Sequence, residues 1–190
     1  IVLTMYKNGY ASGSIKNSIS ILKRAFDLGI KLGAISFNPV FKIEIPNRKK
    51  VHRIVYSKDQ VKSLLERSKG ELNTFLYLAL YTGARPGEIL ALTKEDIYEE
   101  YLVINKTLAI NAKGVQTPKT GKTRRVFIPD ILKDRLKDFK KFRKGYFTFV
   151  KQFQQLCKDL SVPYAGLHSL RHTYASILMN DRIDPLVIKE

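Results

Sequence analysis

At 190 residues, 44% of them hydrophobic and 11% aromatic, the chain has ordinary globular composition and room for one domain, or one domain and part of another. Thirty-four Lys and Arg against seventeen Asp and Glu give a formal net charge of +17 and a pI near 9.9, an excess that favours a polyanionic partner through counterion release. No apolar run is long enough for a membrane span, and no signal peptide, basic amphipathic anchor or lipidation motif is present, which argues against a membrane protein.

The single Cys157 excludes an internal disulfide framework and fits a reducing compartment. The chain opens at Ile1 and its first methionine is Met5, so a natural start upstream is expected.

Residues 1–45 read as helical. Ile15, Ile19, Leu22, Phe26 and Ile30 recur at spacings of four, three, four and four, one face of an amphipathic helix, with Lys16, Lys23 and Lys31 off that stripe. Asn38-Pro39 ends the helical region, and Ile43 to Ile45 is short and extended. Residues 46–54 start at Pro46, carry Arg48, Lys49, Lys50 and Arg53, and keep no periodicity. They read as a basic interdomain linker, a strap along a phosphate backbone rather than a merely solvated charge run.

Ser57 to Gln60 is a capping box that opens the next helix, with Val61, Leu64 and Leu65 as its buried face. Leu72 to Tyr81, with Phe75, Leu76, Leu78 and Leu80, reads as a buried helix. Gly83 suits the left-handed residue that closes such a helix, and Pro86 suits the first position of another. Arg85 is thereby pinned between two core helices, where a guanidinium meets a specific anion. The plainer alternative is a structural ion pair with Glu88, three residues on.

Thr93 to Asp96 is polar and breaks the pattern. Tyr101–Ile104, Thr107–Ile110 and Arg124–Ile128 read as strands, Asn111 to Gly114 as a turn, and Thr117 to Thr123 as a basic hairpin tip holding Lys119 and Lys122. The helical period returns at Asp130 with Ile131, Leu132, Arg135, Leu136 and Phe139, and again from about Phe147 to Leu160, before Val162-Pro163. Helices, a small sheet, then helices make a mainly α fold with a small antiparallel β-sheet, α+β in class.

Gly166 to Leu178 is the second informative stretch. His168 and Arg171 are three apart and share a helix face, while Leu170, Tyr174, Ile177 and Leu178 form the buried side. A His and an Arg near a helix start can together hold a phosphate. Taken alone, a capping His168 and an acid partner for Arg171 explain the stretch as well.

Three elements together resemble the tyrosine recombinases, the phage integrase family, over essentially the whole chain. Thr82-Gly-Ala-Arg85-Pro-Gly-Glu88-Ile-Leu-Ala-Leu92 is similar to that family's first arginine box, and Gly166-Leu-His168-Ser-Leu-Arg171-His-Thr173 to its His-x-x-Arg box. Pro118-Lys119-Thr-Gly121 lies between them, where the family keeps a catalytic lysine. The resemblance implies DNA strand exchange through a covalent 3′-phosphotyrosyl intermediate, with no metal and no nucleotide cofactor.

Under that resemblance Arg85 and Arg171 clamp the scissile phosphate, Lys119 protonates the leaving 5′ oxygen, His168 serves proton transfer and phosphate contact, and Glu88 orients Arg85 or His168. Arg48, Lys49, Lys50, Arg53, Lys122 and Arg124 are the expected DNA-backbone contacts. Residues 1–45 become the end of a helical DNA-clasping domain, 46–54 the linker, and 55–190 a catalytic domain. The partner is double-stranded DNA, with a homotetramer on DNA for the full-length protein and a monomer for this chain. A cytoplasmic, nucleoid-associated protein of bacterial or phage origin is implied.

Departures from the family pattern set further expectations. The family's third box and nucleophilic tyrosine follow the His-x-x-Arg helix, whereas this chain ends at Glu190, just inside a helix announced by Asp184-Pro185. Truncation before the nucleophile is therefore expected, leaving the chain inactive alone, with Tyr174 as a core residue. The segment from Phe142 to Phe149 is also short for the family, so residues missing there are expected.

Thr120 to Thr123 imitates the end of a phosphate-binding loop but has Gln116 where the motif needs glycine. Three His and one Cys show no metal-ligand spacing. A non-catalytic sequence-specific DNA-binding protein on the same fold is the rival from another class. An RNA-binding protein lacks its aromatic signature here, and a type IB topoisomerase shares the chemistry but fits the two boxes less well.

Overall fold

The computed structural model describes residues 1–46, 54–109, 114–117, 121 and 123–180. The chain divides into two units, Ile1–His52 and Arg53–Glu190. Most of the basic linker, with Arg48, Lys49, Lys50 and Arg53, lies outside the described residues, as does the terminal helix expected from Asp184. Among the described residues no helix is long and apolar enough to cross a membrane.

The first unit contains helices α1 (Val2–Lys7) and α2 (Ser12–Lys31). Of the expected apolar stripe on α2, Ile15 is fully buried, Ile19, Leu22 and Phe26 are half-buried, and Ile30 is exposed. The helix ends at Lys31, seven residues before Asn38-Pro39, because Gly33 takes a left-handed φ of 69° just beyond it. Asn38 instead folds back on the helix. Its Nδ2 donates to the Lys23 carbonyl at 3.1 Å and to Asp27 Oδ1 at 2.6 Å, and its Oδ1 accepts from Val40 N at 2.8 Å.

The second unit begins with α3 (Lys58–Arg67), which has the expected capping box: Gln60 N donates to Ser57 Oγ at 3.2 Å and Ser57 N to Gln60 Oε1 at 2.9 Å. Then come α4 (Gly70–Thr82), α5 (Pro86–Leu90) and a 3-10 turn at Lys94–Asp96. In that turn Asp96 accepts from Thr93 N at 2.8 Å and pairs with Lys106 at 2.7 Å, so the polar break after α5 is stapled to the sheet region.

Strand β1 (Tyr101–Ile104) pairs antiparallel with β4 (Arg124–Phe127), and β2 (Thr107–Leu108) with β3 (Val115–Gln116). Strand β3 was not expected from the sequence: both its residues are exposed, so no alternation marks it. Most of the expected basic hairpin tip, Pro118 to Thr120 and Lys122, lies outside the described residues.

Helices α6 (Asp130–Leu136), α7 (Tyr146–Asp159) and α8 (His168–Asn180) complete the unit. Helix α6 stops short of Phe139, which leaves the helical period to pack edge-on to Phe142, ring centroids 5.0 Å apart. Phe142 meets Phe149 at 5.4 Å and 90°, and Phe149 meets Phe75 at 5.0 Å. Such pairs add about 0.5–1.5 kcal/mol each beyond area burial. Leu64, Leu76, Leu78, Ile89, Leu102, Ile104, Ile128 and Leu132 fill the rest of this core, to which the two sequence boxes contribute Ala84, Ile89, Leu90 and Leu92 and Leu167 and Leu170.

Candidate active site

Helix α4 is apolar nearly all round, so it is buried and its two ends are fixed in space. Its C-cap is Gly83, at φ 60° and ψ 14°, and Thr82 Oγ1 donates to the Leu78 carbonyl at 2.6 Å. Two residues later Arg85 takes an extended conformation as the N-cap of α5, with Pro86 in the first turn. The main chain thus turns from one buried helix into another with the Arg85 side chain at the bend. Gly87 allows α5 to lie against β2: a Cβ there would stand 2.7 Å from Thr107 Oγ1 and 2.8 Å from the Leu108 carbonyl oxygen.

Glu88 lies beneath this bend with its side chain 1% exposed. Its carboxylate accepts from Arg85 N at 2.8 Å, half of a capping box, and from Arg85 Nη1 at 3.0 Å. The anticipated Arg85–Glu88 pair therefore forms. A second guanidinium joins it: Arg124 Nη1 and Nη2 donate to the two Glu88 oxygens at 3.2 and 2.6 Å. Burial pushes the Glu88 carboxyl up, but the Arg124 hydrogen bonds, the Arg85 N–H and the Arg124 charge outweigh it and hold it below its ordinary value.

Arg171 arrives from α8. Its Nη1 donates to the Gly83 carbonyl, which ties the His-x-x-Arg helix to the C-cap of α4, two residues from Arg85. Burial, followed by the nearby charges of Arg85 and Arg124, lowers the Arg171 pKa, with Glu88 acting in the opposite sense. Arg85, Arg124 and Arg171 are therefore close enough to feel one another, around one described carboxylate. His168 is the first residue of α8 and is exposed.

Tyr174 is half-buried with its ring against Gly83. The buried side of α8 is more polar than the sequence pattern indicated. Ser169, Leu170 and Thr173 are buried, whereas Ile177 and Leu178 are only half-buried. The two polar residues are used: Tyr56 N donates to Thr173 Oγ1 at 3.0 Å and Ser169 Oγ to the Tyr56 hydroxyl at 3.3 Å.

Five of the expected site residues, Arg85, Glu88, Arg124, His168 and Arg171, are described, and the first three with Arg171 form one cluster. Lys119 and Lys122 fall outside the described residues. Arg124, expected on the DNA, is turned inward onto Glu88 with its side chain 20% exposed. The cluster can bind an anion with fork-shaped donors, and two guanidiniums on Glu88 with a third nearby leave it a surplus of positive charge.

No family model matches the chain. It is 28% identical to a tyrosine recombinase XerC-like protein of Caldanaerobacter subterraneus subsp. tengcongensis, over 98% of this chain and 60% of that protein. It is 25% identical to the ICEBs1 integrase of Bacillus subtilis over 98% of this chain and 59% of the relative, and 26% identical to the tyrosine recombinase XerD of Rickettsia conorii over 96% and 70%. The chain thus spans about 60% of the length of the first two relatives.

Among solved structures, the Tn1549 transposon integrase in complex with a circular intermediate DNA superposes with a TM-score of 0.82 at 19% identity, over 99% of this chain and 73% of that one. A lambda integrase from a tetramer bound to a Holliday junction superposes with a TM-score of 0.74 at 21% identity, over 99% and 60%.

Proposed function

We propose that this chain is a tyrosine recombinase, as its relatives are named, and that the protein cleaves and rejoins DNA at a specific site through a 3′-phosphotyrosyl intermediate. The observation that carries the reading is the cluster in which Arg85, Arg124 and Arg171 gather at one buried carboxylate, within a fold shared with integrases.

Arg85 and Arg171 hold the non-bridging oxygens of the scissile phosphate. A phosphodiester carries one negative charge, and attack by a tyrosine oxygen adds a second as the pentacoordinate transition state forms. The site's surplus positive charge stabilises that state more than the ground state. The phosphorus–O5′ bond breaks as the tyrosine–phosphorus bond forms. Lys119 gives a proton to the leaving 5′ oxygen, and His168 assists proton transfer and contacts the phosphate. Glu88 orients Arg85. Neither a metal nor a nucleotide is required by this scheme.

Arg48, Lys49, Lys50 and Arg53 in the linker, with Lys122, contact the DNA backbone. Residues 1–45 belong to a DNA-clasping helical domain and 55–190 to the catalytic domain. Tyr174 packs its ring on Gly83 and is not assigned as the nucleophile; the attacking tyrosine is taken to lie outside these 190 residues. The full-length protein works as a homotetramer on DNA, this chain alone is a monomer, and the setting is the cytoplasm, at the nucleoid.

The test is trapping on a nicked suicide duplex carrying the element's own crossover site, read on a denaturing gel. A covalent adduct is expected with the natural full-length protein and none with residues 1–190 alone. An adduct with the short chain would place the nucleophile within these 190 residues and reopen the reading of Tyr174 as a core residue. Binding without an adduct from either would leave a DNA-binding protein without chemistry.

A further inference from the structure

We infer that Arg124 is a positioning residue of the phosphate site, gripping Glu88 from the sheet so that Glu88 can hold Arg85, rather than a contact to the DNA backbone. This inference rests on the recombinase reading above.

The pleat decides which way the side chain faces. In β4 the residues alternate, and the antiparallel register sets Arg124 opposite Ile104 and Val126 opposite Leu102. Ile104 and Leu102 are fully buried, so Arg124 stands on the core face of the sheet. Arg125, one residue on, takes the outer face, with its guanidinium 4.9 Å from the Tyr101 ring centre. Of the two adjacent arginines, only Arg125 is exposed.

Glu88 supplies the reason for the grip. A carboxylate 1% exposed needs a permanent counter-charge, and Arg85, 40% exposed, is the residue proposed to turn toward substrate. Arg85 commits Nη1 and its backbone N–H to Glu88. Were it the sole cation there, each movement of its guanidinium toward a phosphate would strip the buried carboxylate of compensation. The two-pronged Arg124 contact, at 3.2 and 2.6 Å, keeps Glu88 ionised and fixed, so Arg85 is oriented by an anchored carboxylate. That contact joins β4 to α5 across 36 residues of sequence.

Arg124→Lys separates the two roles, because lysine keeps the charge and loses the fork. In the full-length protein, on the suicide duplex, it is expected to slow cleavage at saturating DNA about tenfold or more, with DNA affinity changed by less than about threefold. Glu88→Gln is expected to slow cleavage as well, and the double variant to be no slower than the slower single one, since both changes break the same link. Arg124→Gln, smaller and neutral, is the second variant should the lysine prove poorly accommodated. It too is expected to slow cleavage at unchanged affinity.

A weakened affinity with an unchanged saturated rate would overturn the assignment and make Arg124 a backbone contact. Independent, multiplying losses in the double variant would overturn it as well. Absence of any adduct from the unsubstituted full-length protein would sink the recombinase reading itself, and this inference with it.

Discussion

The ring of Tyr174 lies so close to Gly83 that a Cβ on the glycine would stand 2.2 Å from the ring's Cδ1. The same glycine holds φ at 60°, and its carbonyl receives Arg171. One residue thus closes α4, seats α8 and anchors Arg171, proposed above as a phosphate-holding arginine. Gly83→Ala meets both the left-handed penalty and the overpacked ring, a combined cost of about 2–5 kcal/mol. The unfolding free energy from urea denaturation should fall by that amount, and Gly33→Ala, with a left-handed φ but open space around it, should cost clearly less.

Acid should act through Glu88. Its carboxyl is held below the ordinary 4.5, although burial works against this, because Arg124 and Arg85 favour the charged form. A depressed folded pKa contributes stability that is fully present above the unfolded value and lost as pH falls through the folded one. The urea midpoint should therefore fall more steeply from about pH 5 to about pH 3 in the native protein than in Glu88→Gln. At neutral pH that variant, which leaves two guanidiniums without their carboxylate, should be less stable by about 3 kcal/mol.

Thr173→Val removes the acceptor for the buried Tyr56 N–H while conserving shape. An orphaned buried donor costs about 1–3 kcal/mol. Since α8 buries only Leu170 among its apolar residues, the loss should appear first as faster amide exchange in α8, before the core around Phe75 and Phe149 loosens.

Cys157 is fully buried, and burial raises its thiol pKa above the ordinary 9.0, partly offset by a hydrogen bond with Tyr56. The folded protein should resist a thiol reagent at neutral pH and react stoichiometrically in denaturant. A raised thiol pKa contributes stability that is present below the unfolded value and is lost as pH climbs through 9.0 toward the folded one.

Local chemistry was what the sequence could carry. Gly83, Pro86 and the Ser57–Gln60 box declare backbone states that depend on near neighbours, and all three are found. The Arg85–Glu88 pair is likewise local. The Arg124–Glu88 contact is not legible in the sequence because the two residues lie 36 apart, although Val126 and Ile128 at alternate positions put Arg124 on the inward face. Strand β3 has no buried residue to betray it, and the α2 stripe reports amphipathicity without saying how much of it is covered. The seating of α8 through Ser169 and Thr173 was hidden for another reason: hydroxyls on a helix read as solvent-facing until a distant partner such as Tyr56 is known.

The carbonyl that receives Arg171 lies 88 residues upstream of it, while Glu88 and Arg124 are 36 apart. A chain emerging from the ribosome can assemble the carboxylate with two of its guanidiniums once β4 is out, and gains the third only when α8 has been synthesised and docked. Closing that long loop comes late because its entropy must be met before the contact rewards it. The proposed phosphate grip would then arrive as a final step, so a nascent or partly opened chain could not hold DNA in a reactive geometry before the fold that controls it is complete.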